Sequence, residues 1–343
     1  MSDPLDSPPP AVSPAEAEAL VRALWGIAAR AQPIACERDA NFRLDSGHVL
    51  KLSNPAEPPQ DTNFQTEALL WVAARDPGLP LPRVVVARDG RHEVPVPLRD
   101  GRVSVARLLT WVEGVPLARV PFAPGMEAGI GRMLARLTRA LAGYAHPAAG
   151  HYLQWDIRHT PGLRPMLVPG QEDLAAEIAG FEARVTPVLP RLRAQVVHND
   201  MNHHNILVDP QDSARIAGVI DLGDMVHTPL ICDVAVAAAY LVADEPDPVA
   251  RVGRMLAAYH AVLPLRPEEV ALLRDLIVAR LVTSVVISES RARMYPENAA
   301  YILRNTPGVR AALARFAPLP RAEVGARLRA ALSPTAPSGS AGA

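Results

Sequence analysis

Asp200, Asn205 and Asp221 are hard-oxygen side chains set around two short apolar runs. Ile206 to Val208 reads as a strand, Asp209-Pro210-Gln211-Asp212 as a turn and Arg215 to Ile220 as a second strand. Paired as a hairpin, they would bring the start of the first beside the end of the second. Asn205 and Asp221 would then converge at one end, where an amide oxygen and a carboxylate suit Mg²⁺ with room for water and phosphate oxygens. Asp200 lies on the loop entering the first strand, placed to orient a hydroxyl and accept its proton. A cation is the remaining part that phosphoryl transfer needs. Of 35 Lys+Arg residues only Lys51 is a lysine. Codon bias toward arginine accounts for the scarcity, and a surviving lysine then invites a reason, such as chemistry that wants a compact ammonium. Glu67, on the helix that follows, is expected to pair with Lys51 and fix its direction.

The elements that must position these groups follow from periodicity. Ser13 reads as an N-cap and Pro14 as the first helical residue, with a helix over 15–30. Strands are expected at 34–37, 42–44, 49–52, 83–87, 94–96 and 103–110, with one inserted helix at 63–74 carrying Phe64, Ala68 and Trp71 on one face. After Glu113 the character becomes helical: 125–145, 172–192, 230–243, 246–262, 267–293, 307–316 and 321–332, with 150–170 irregular. This is an α+β chain. The division expected is a disordered start at 1–12, a small β-rich lobe at 13–113, a larger mainly helical lobe at 114–332 and a disordered Ser/Gly/Ala/Pro-rich tail at 333–343.

Composition bounds the partners. The 343 residues are 49% apolar, enough for a sizeable core, and the formal net charge is −1, which argues against nucleic acid and anionic membrane surfaces. No run of about 18 apolar residues is present, so no membrane span is expected. Residues 1–10 lack a basic start and an apolar run, so no secretory leader is expected and the chain reads as cytoplasmic. Oligomeric state cannot be read.

The motifs resemble those of the aminoglycoside phosphotransferase and choline kinase superfamily, a relative of the protein kinases. The catalytic loop there reads His-x-Asp-x-x-x-x-Asn and the metal motif Ile-Asp-x-x-Asp. Here they stand as His198-Asn199-Asp200 with Asn205, and Ile220-Asp221-Leu222-Gly223-Asp224. The hydroxylysine kinase-like branch is more similar still, through Glu37 to Phe42, Val49 to Asn54, Arg107 to Thr110 and Gly223 to Leu230. The resemblance spans roughly residues 34 to 310. It implies a protein-kinase-like two-lobed fold, ATP or GTP as co-substrate and Mg²⁺ as cofactor. Asp200 would be the base, Asn205 and Asp221 the metal ligands, and Lys51 the phosphate cation. No Gly-x-Gly-x-x-Gly loop is present, so Arg38 to Asn41 would cover the phosphates as in that branch. Leu222 replaces the aromatic of Asp-Phe-Gly, so a swinging Phe is not expected.

Several neighbours have plainer readings. His198 is expected to stabilise the turn beneath Asp200, and Asp233 to anchor the loop. His198, His203 and His204 fit no zinc spacing. Asp224 either braces its turn or meets a second metal or the acceptor. The acceptor implied is a small hydroxylated amino acid, hydroxylysine by resemblance. Asp156, Arg158, Glu289, Arg291 and Asn298 could contact its charges or equally form surface ion pairs. Homoserine, choline and aminoglycosides remain alternatives, as does a catalytically silent pseudokinase-like binding module. The presence of Lys51, Asp200, Asn205 and Asp221 disfavours that module.

Overall fold

A computed structural model of the chain describes residues 7–333 apart from 37 and 244. The expected disordered ends, at 1–6 and 334–343, lie outside the described residues. Residues 7–12, expected to be disordered with them, are instead held. Asn54 donates through Nδ2 to the Ser7 carbonyl and Arg102 donates to that of Pro8, and Pro10 is buried.

The described residues form two compact units. The smaller comprises the chain up to Gly114 together with Tyr144–Gly150 and Ala217–Gly223, and the larger the rest. In the smaller unit, α1 (Pro14–Trp25) starts on a capping box between Ser13 and Glu16. It ends five residues earlier than its sequence suggests. Gly26 takes φ +74°, where a side chain would be strained, and its N–H closes on the Arg22 carbonyl. Strands β1 (Ala31–Ile34), β2 (Ala40–Leu44) and β3 (His48–Leu52) follow, then α2 (Pro59–Arg75), β4 (Val84–Val85), β5 (Val94–Pro97) and β6 (Val103–Thr110). The sheet order is β1-β2-β3-β6-β4, with β5 also on β6 and each of these pairings antiparallel. The first strand runs over 31–34 rather than 34–37. It tolerates Pro33 because it is the sheet edge, where a missing N–H breaks no inner ladder. Leu50, Leu52, Phe42 and Leu108 turn inward to a core shared with Val21 and Trp25 of α1.

The larger unit opens with β7 (Val115–Pro116) and α3 (Met126–Ala140), whose Ile130, Met133, Leu134 and Leu137 are buried as their spacing predicts. The segment expected to be irregular holds a run of 3-10 turns over Ile157–Met166, capped by Asp156. Then come α4 (Glu172–Arg184), β8 (Ala194–Val197), β9 (Ile206–Val208), β10 (Ile216–Val219), β11 (Val226–Pro229), α5 (Leu230–Ala239), α6 (Pro248–His260), α7 (Pro267–Met294), α8 (Ala299–Ile302), α9 (Thr306–Phe316) and α10 (Arg321–Leu332). Strand β8 pairs antiparallel with β11, and β7 with β9. Helix α5 is buried along its whole length, which is why it reads as apolar nearly all round, and α7 is buried along most of its length although it carries charged residues.

Strand β10 explains why the smaller unit is discontinuous in sequence. From Ala217 onward its residues belong there. The Val219 N–H donates to the Pro80 carbonyl at 3.0 Å. A Cβ at Gly218 would collide with the Val112 side chain and lie 3.0 Å from the Pro80 oxygen. Glycine is required there by close approach.

Candidate active site

Strands β8 and β9 hold between them the loop that carries Asp200. Asn199 adopts φ +63°, an uncommon conformation for any residue but one Asn tolerates. It is held there because its N–H donates to Asp233 Oδ1 at 2.8 Å. Asp233 sits in the first turn of α5 and is wholly buried. Burial pushes its carboxyl up to about 6, against the opposing pull of His198 and two backbone N–H groups. The His198 Nδ1 accepts the Asp200 N–H at 3.2 Å. His198 and Asp233 are thus braces of the turn.

The Asp200 carboxylate is held on both oxygens. Oδ2 accepts from Asn202 Nδ2 and Asn205 Nδ2, each at 2.8 Å, and Oδ1 accepts from Arg280 Nη2 at 3.0 Å. Asn205 also donates through Nδ2 to the Asp200 carbonyl at 2.9 Å. Its Oδ1 accepts no hydrogen bond among the described residues, so the amide offers an oxygen ligand.

Arg280 was not anticipated from sequence. It stands in the middle of α7, 3% exposed, and its guanidinium also donates to the Trp155 carbonyl at 3.2 Å and the Tyr240 hydroxyl at 3.1 Å. Burial works against its charge, but Tyr240, Asp200 and Asp224 outweigh it and push its pKa up. The same burial pushes the Tyr240 phenol up, with Arg280 opposing. The signal was a lone charge in the apolar run Leu276-Ile277-Val278-Ala279-Arg280-Leu281-Val282. A charge kept in such a run needs a partner. Asp224 lies close enough to raise both pKa values.

In the smaller unit, Lys51 stands on β3, in register with Asn41 of β2 and Arg107 of β6. These three side chains share one sheet face, opposite the buried Leu50 and Leu52. The Asn41 Oδ1 is buried without a donor among the described residues. Asn54 pins the neighbouring loop, donating to the Arg38 carbonyl at 3.0 Å through Nδ2 and to Asp39 Oδ1 at 3.1 Å through its N–H. Arg38 itself is exposed.

The expected partner of Lys51 is corrected. Glu67 lies on the exposed face of α2 and makes no ion pair with Lys51. Gln65 faces inward and accepts from the buried Arg107 at 3.1 Å. Two residues on, Glu67 has turned about 200° round the helix. The carboxylate whose field meets Lys51 is Glu57, in the loop before α2. Burial and then Asp39 push its pKa up, while Arg107, Arg38 and Lys51 pull it down.

Asp221 also belongs to this unit. It is exposed, holds φ +64°, and accepts the Gly223 N–H on Oδ1 at 3.1 Å. Among the described residues two non-glycines thus take the left-handed region, Asn199 beside Asp200 and Asp221 itself. Such conformations cost about 1–3 kcal/mol and persist where surroundings enforce them. Mg²⁺ takes few protein ligands beside phosphate and water oxygens; the exposed carboxylate in this unit and the amide oxygen with no donor in the larger one are each of the kind it takes.

The expected acceptor contacts fare differently. Asp156 is buried and structural: it caps the 3-10 run, pairs with Arg158 at 2.7 Å and accepts from Thr228 at 3.1 Å. Glu289 is a brace, accepting from Gln171 at 2.7 Å and from Arg310 at 2.6 and 2.8 Å. Asn298 is exposed in a short 3-10 turn after α7, and Arg291 is half-buried in the last turn of that helix.

With this geometry in view, the chain belongs to the phosphotransferase enzyme family, whose sequence profile matches residues 30–268. It is a kinase of the protein-kinase-like fold. Hydroxylysine kinase of Bos taurus is 27% identical over 326 residues, covering 86% of each chain. Homoserine kinase of Cupriavidus necator is 30% identical over 212 residues, covering 56% of this chain and 62% of that one. Among solved structures, a microcompartment-associated aminopropanol kinase is similar with a TM-score of 0.64 at 19% identity, over 90% of this chain and 98% of the other. That likeness is one of fold.

Proposed function

We propose that the chain transfers the γ-phosphoryl group of ATP or GTP to a hydroxyl of a small amino-acid-like acceptor, as hydroxylysine kinase does. The observation that carries this reading is the fixed Asp200 carboxylate. A carboxylate accepting three charged or polar donors is fixed and aimed. Asp200 takes the acceptor hydroxyl proton. The acceptor oxygen forms a bond to the γ-phosphorus as the bond from that phosphorus to the bridging oxygen breaks, and the nucleoside diphosphate leaves with the electron pair. Lys51 donates to phosphate oxygens, Glu57 keeps its ammonium oriented, and Arg38 to Asn41 cover the phosphates. Asn205 and Asp221 would hold Mg²⁺, which when bound neutralises phosphate charge.

The length and identity of the match to hydroxylysine kinase support a hydroxy amino acid over choline or an aminoglycoside. No helix among the described residues is long and apolar enough to cross a membrane. A cytoplasmic location, where the nucleotide is abundant, goes with the reading. The test is nucleotide consumption by purified protein with ATP and with GTP, across hydroxylysine, homoserine, choline and kanamycin. Hydroxy amino acids should raise consumption well above the acceptor-free rate, and excess chelator should abolish the gain. A gain with choline or kanamycin alone, or full activity in chelator, would contradict it.

A further inference from the structure

Asn54 stands just beyond β3 and is 1% exposed, and its bonds run in three directions. Its Oδ1 accepts the Ala56 N–H and its carbonyl the Glu57 N–H, each at 2.9 Å. Its own N–H donates to Asp39 Oδ1 at 3.1 Å. Its Nδ2 donates to two carbonyls, each at 3.0 Å: that of Arg38, in the loop before β2, and that of Ser7, at the start of the described chain. The Pro8 carbonyl lies 3.5 Å from the same nitrogen. A side-chain amide has two N–H donors. One serves the Arg38 loop and the other the start of the chain, so a single buried group joins the two segments.

The start of the chain is tied down on a second side. Arg102 Nη1 donates to the Pro8 carbonyl at 2.9 Å and to the Ser7 hydroxyl at 3.3 Å. Pro10 is buried, and Val12 packs against the core of this unit. Chain ends stay ordered only where such ties hold them.

At the far side of the bridge stands the Asp221 turn. A Cβ on Gly223 would lie 3.1 Å from Asp221 Oδ1 and 3.6 Å from Arg38 Nη2. The Arg38 side chain therefore approaches the turn that carries Asp221, while Asn54 holds the Arg38 carbonyl. Glu57, whose N–H Asn54 also holds, lies in the field of both Arg38 and Lys51.

We propose that Asn54 is a positioning residue for the nucleotide, and that residues 7–10 are a strap that fixes it, so that the start of the chain sets how Arg38 to Asn41 cover the phosphates. The inference rests on the phosphotransferase reading above and adds to it a residue and a segment that the reading does not use. A covering loop ordered before its ligand arrives spends none of the binding energy on being ordered. Without the strap, one Asn54 donor loses its carbonyls, and the amide that holds the Arg38 carbonyl is no longer fixed.

The test is calorimetric titration with ATP and with GTP in Mg²⁺, without acceptor, and thermal melting is the folding control. Deleting residues 2–6 leaves the strap and should leave affinity unchanged. Deleting residues 2–9 should weaken nucleotide binding by about 3- to 10-fold, the range of one hydrogen bond. In turnover it should raise nucleotide KM and leave kcat and acceptor KM unchanged. Asn54→Ala should weaken binding at least as much. In that background the longer deletion should cost nothing further, because two changes on one path do not add. If the shortened chain does not fold, Arg102→Met decides in its place: it loosens the strap from a partly exposed position and should weaken binding, and unchanged affinity would overturn the proposal. Equal losses from the two deletions, no loss from the longer one, or losses that add to that of Asn54→Ala would overturn the strap while leaving the kinase reading intact. So would a folded deletion chain in which kcat and both KM values worsen together. A parent chain that binds neither nucleotide would overturn the phosphotransferase reading, and this inference with it.

Discussion

The Asp200 carboxylate and the Lys51 ammonium are met by their surroundings in opposite ways. In the loop, the Asn199 and Asp200 N–H groups are taken by Asp233 and His198, and both Asp200 oxygens accept from neighbours. On the sheet face, among the described residues, the Asn41 Oδ1 is buried without a donor, and the field of Lys51 reaches a half-buried Glu57 whose own pKa is pushed up. The difference separates two tasks. A group that moves a proton gains from being fixed before a ligand arrives, because reorganisation then costs nothing at the moment of reaction. A cation that meets phosphates can stay uncompensated, because the ligand brings the opposite charge.

Breaking the settled region should have the largest effect. Arg280→Met removes the cation from Asp200 Oδ1, and losing one partner of a buried pair typically costs about 3–5 kcal/mol. We expect kcat to fall by about 10²-fold or more and the melting temperature to drop. Unchanged turnover would mean that the two asparagines alone hold the base. The unsettled region should respond less. Lys51→Arg keeps the charge but substitutes a longer, planar group, and should fold, since Leu50 and Leu52 keep the core side of β3. Turnover should fall or nucleotide KM rise by about 10-fold. Parental kinetics would make the lone lysine a survivor of codon bias. Smallest of all, Glu67→Gln should leave kinetics within about twofold, as surface substitutions do, whereas Glu57→Gln should raise nucleotide KM several-fold. The reverse ranking would restore Glu67 as the partner.

What could be read from sequence follows the same divide. The Asp200 loop was legible as a local unit: Asp200, Asn202 and Asn205 bond one another within a few residues, so spacing carries the geometry. The strands of the small sheet were legible from alternation, though β1 slipped because an edge strand hides its proline. Glu67 was misplaced because the Phe64, Ala68 and Trp71 pattern fixes the apolar face of α2 but not which polar residue faces the sheet. The surroundings of Arg280 were illegible for a different reason: Trp155, Asp200 and Tyr240 come from separate segments of the larger unit, and no local pattern joins them. Asp156 and Glu289 stayed open between ion pair and acceptor contact because charge near an irregular segment looks the same in sequence whether it braces a turn or meets a ligand.

The central claim is that Asp200 moves the proton of the acceptor hydroxyl. Asp200→Asn preserves shape while removing the proton acceptor. Calorimetric titration with ATP and with GTP, in Mg²⁺, should show nucleotide affinity close to the parent. Single-turnover formation of phosphorylated hydroxylysine should slow by about 10²-fold or more, the range for loss of a general base. Product formation at near-parental rate in the folded, nucleotide-binding variant would contradict the account.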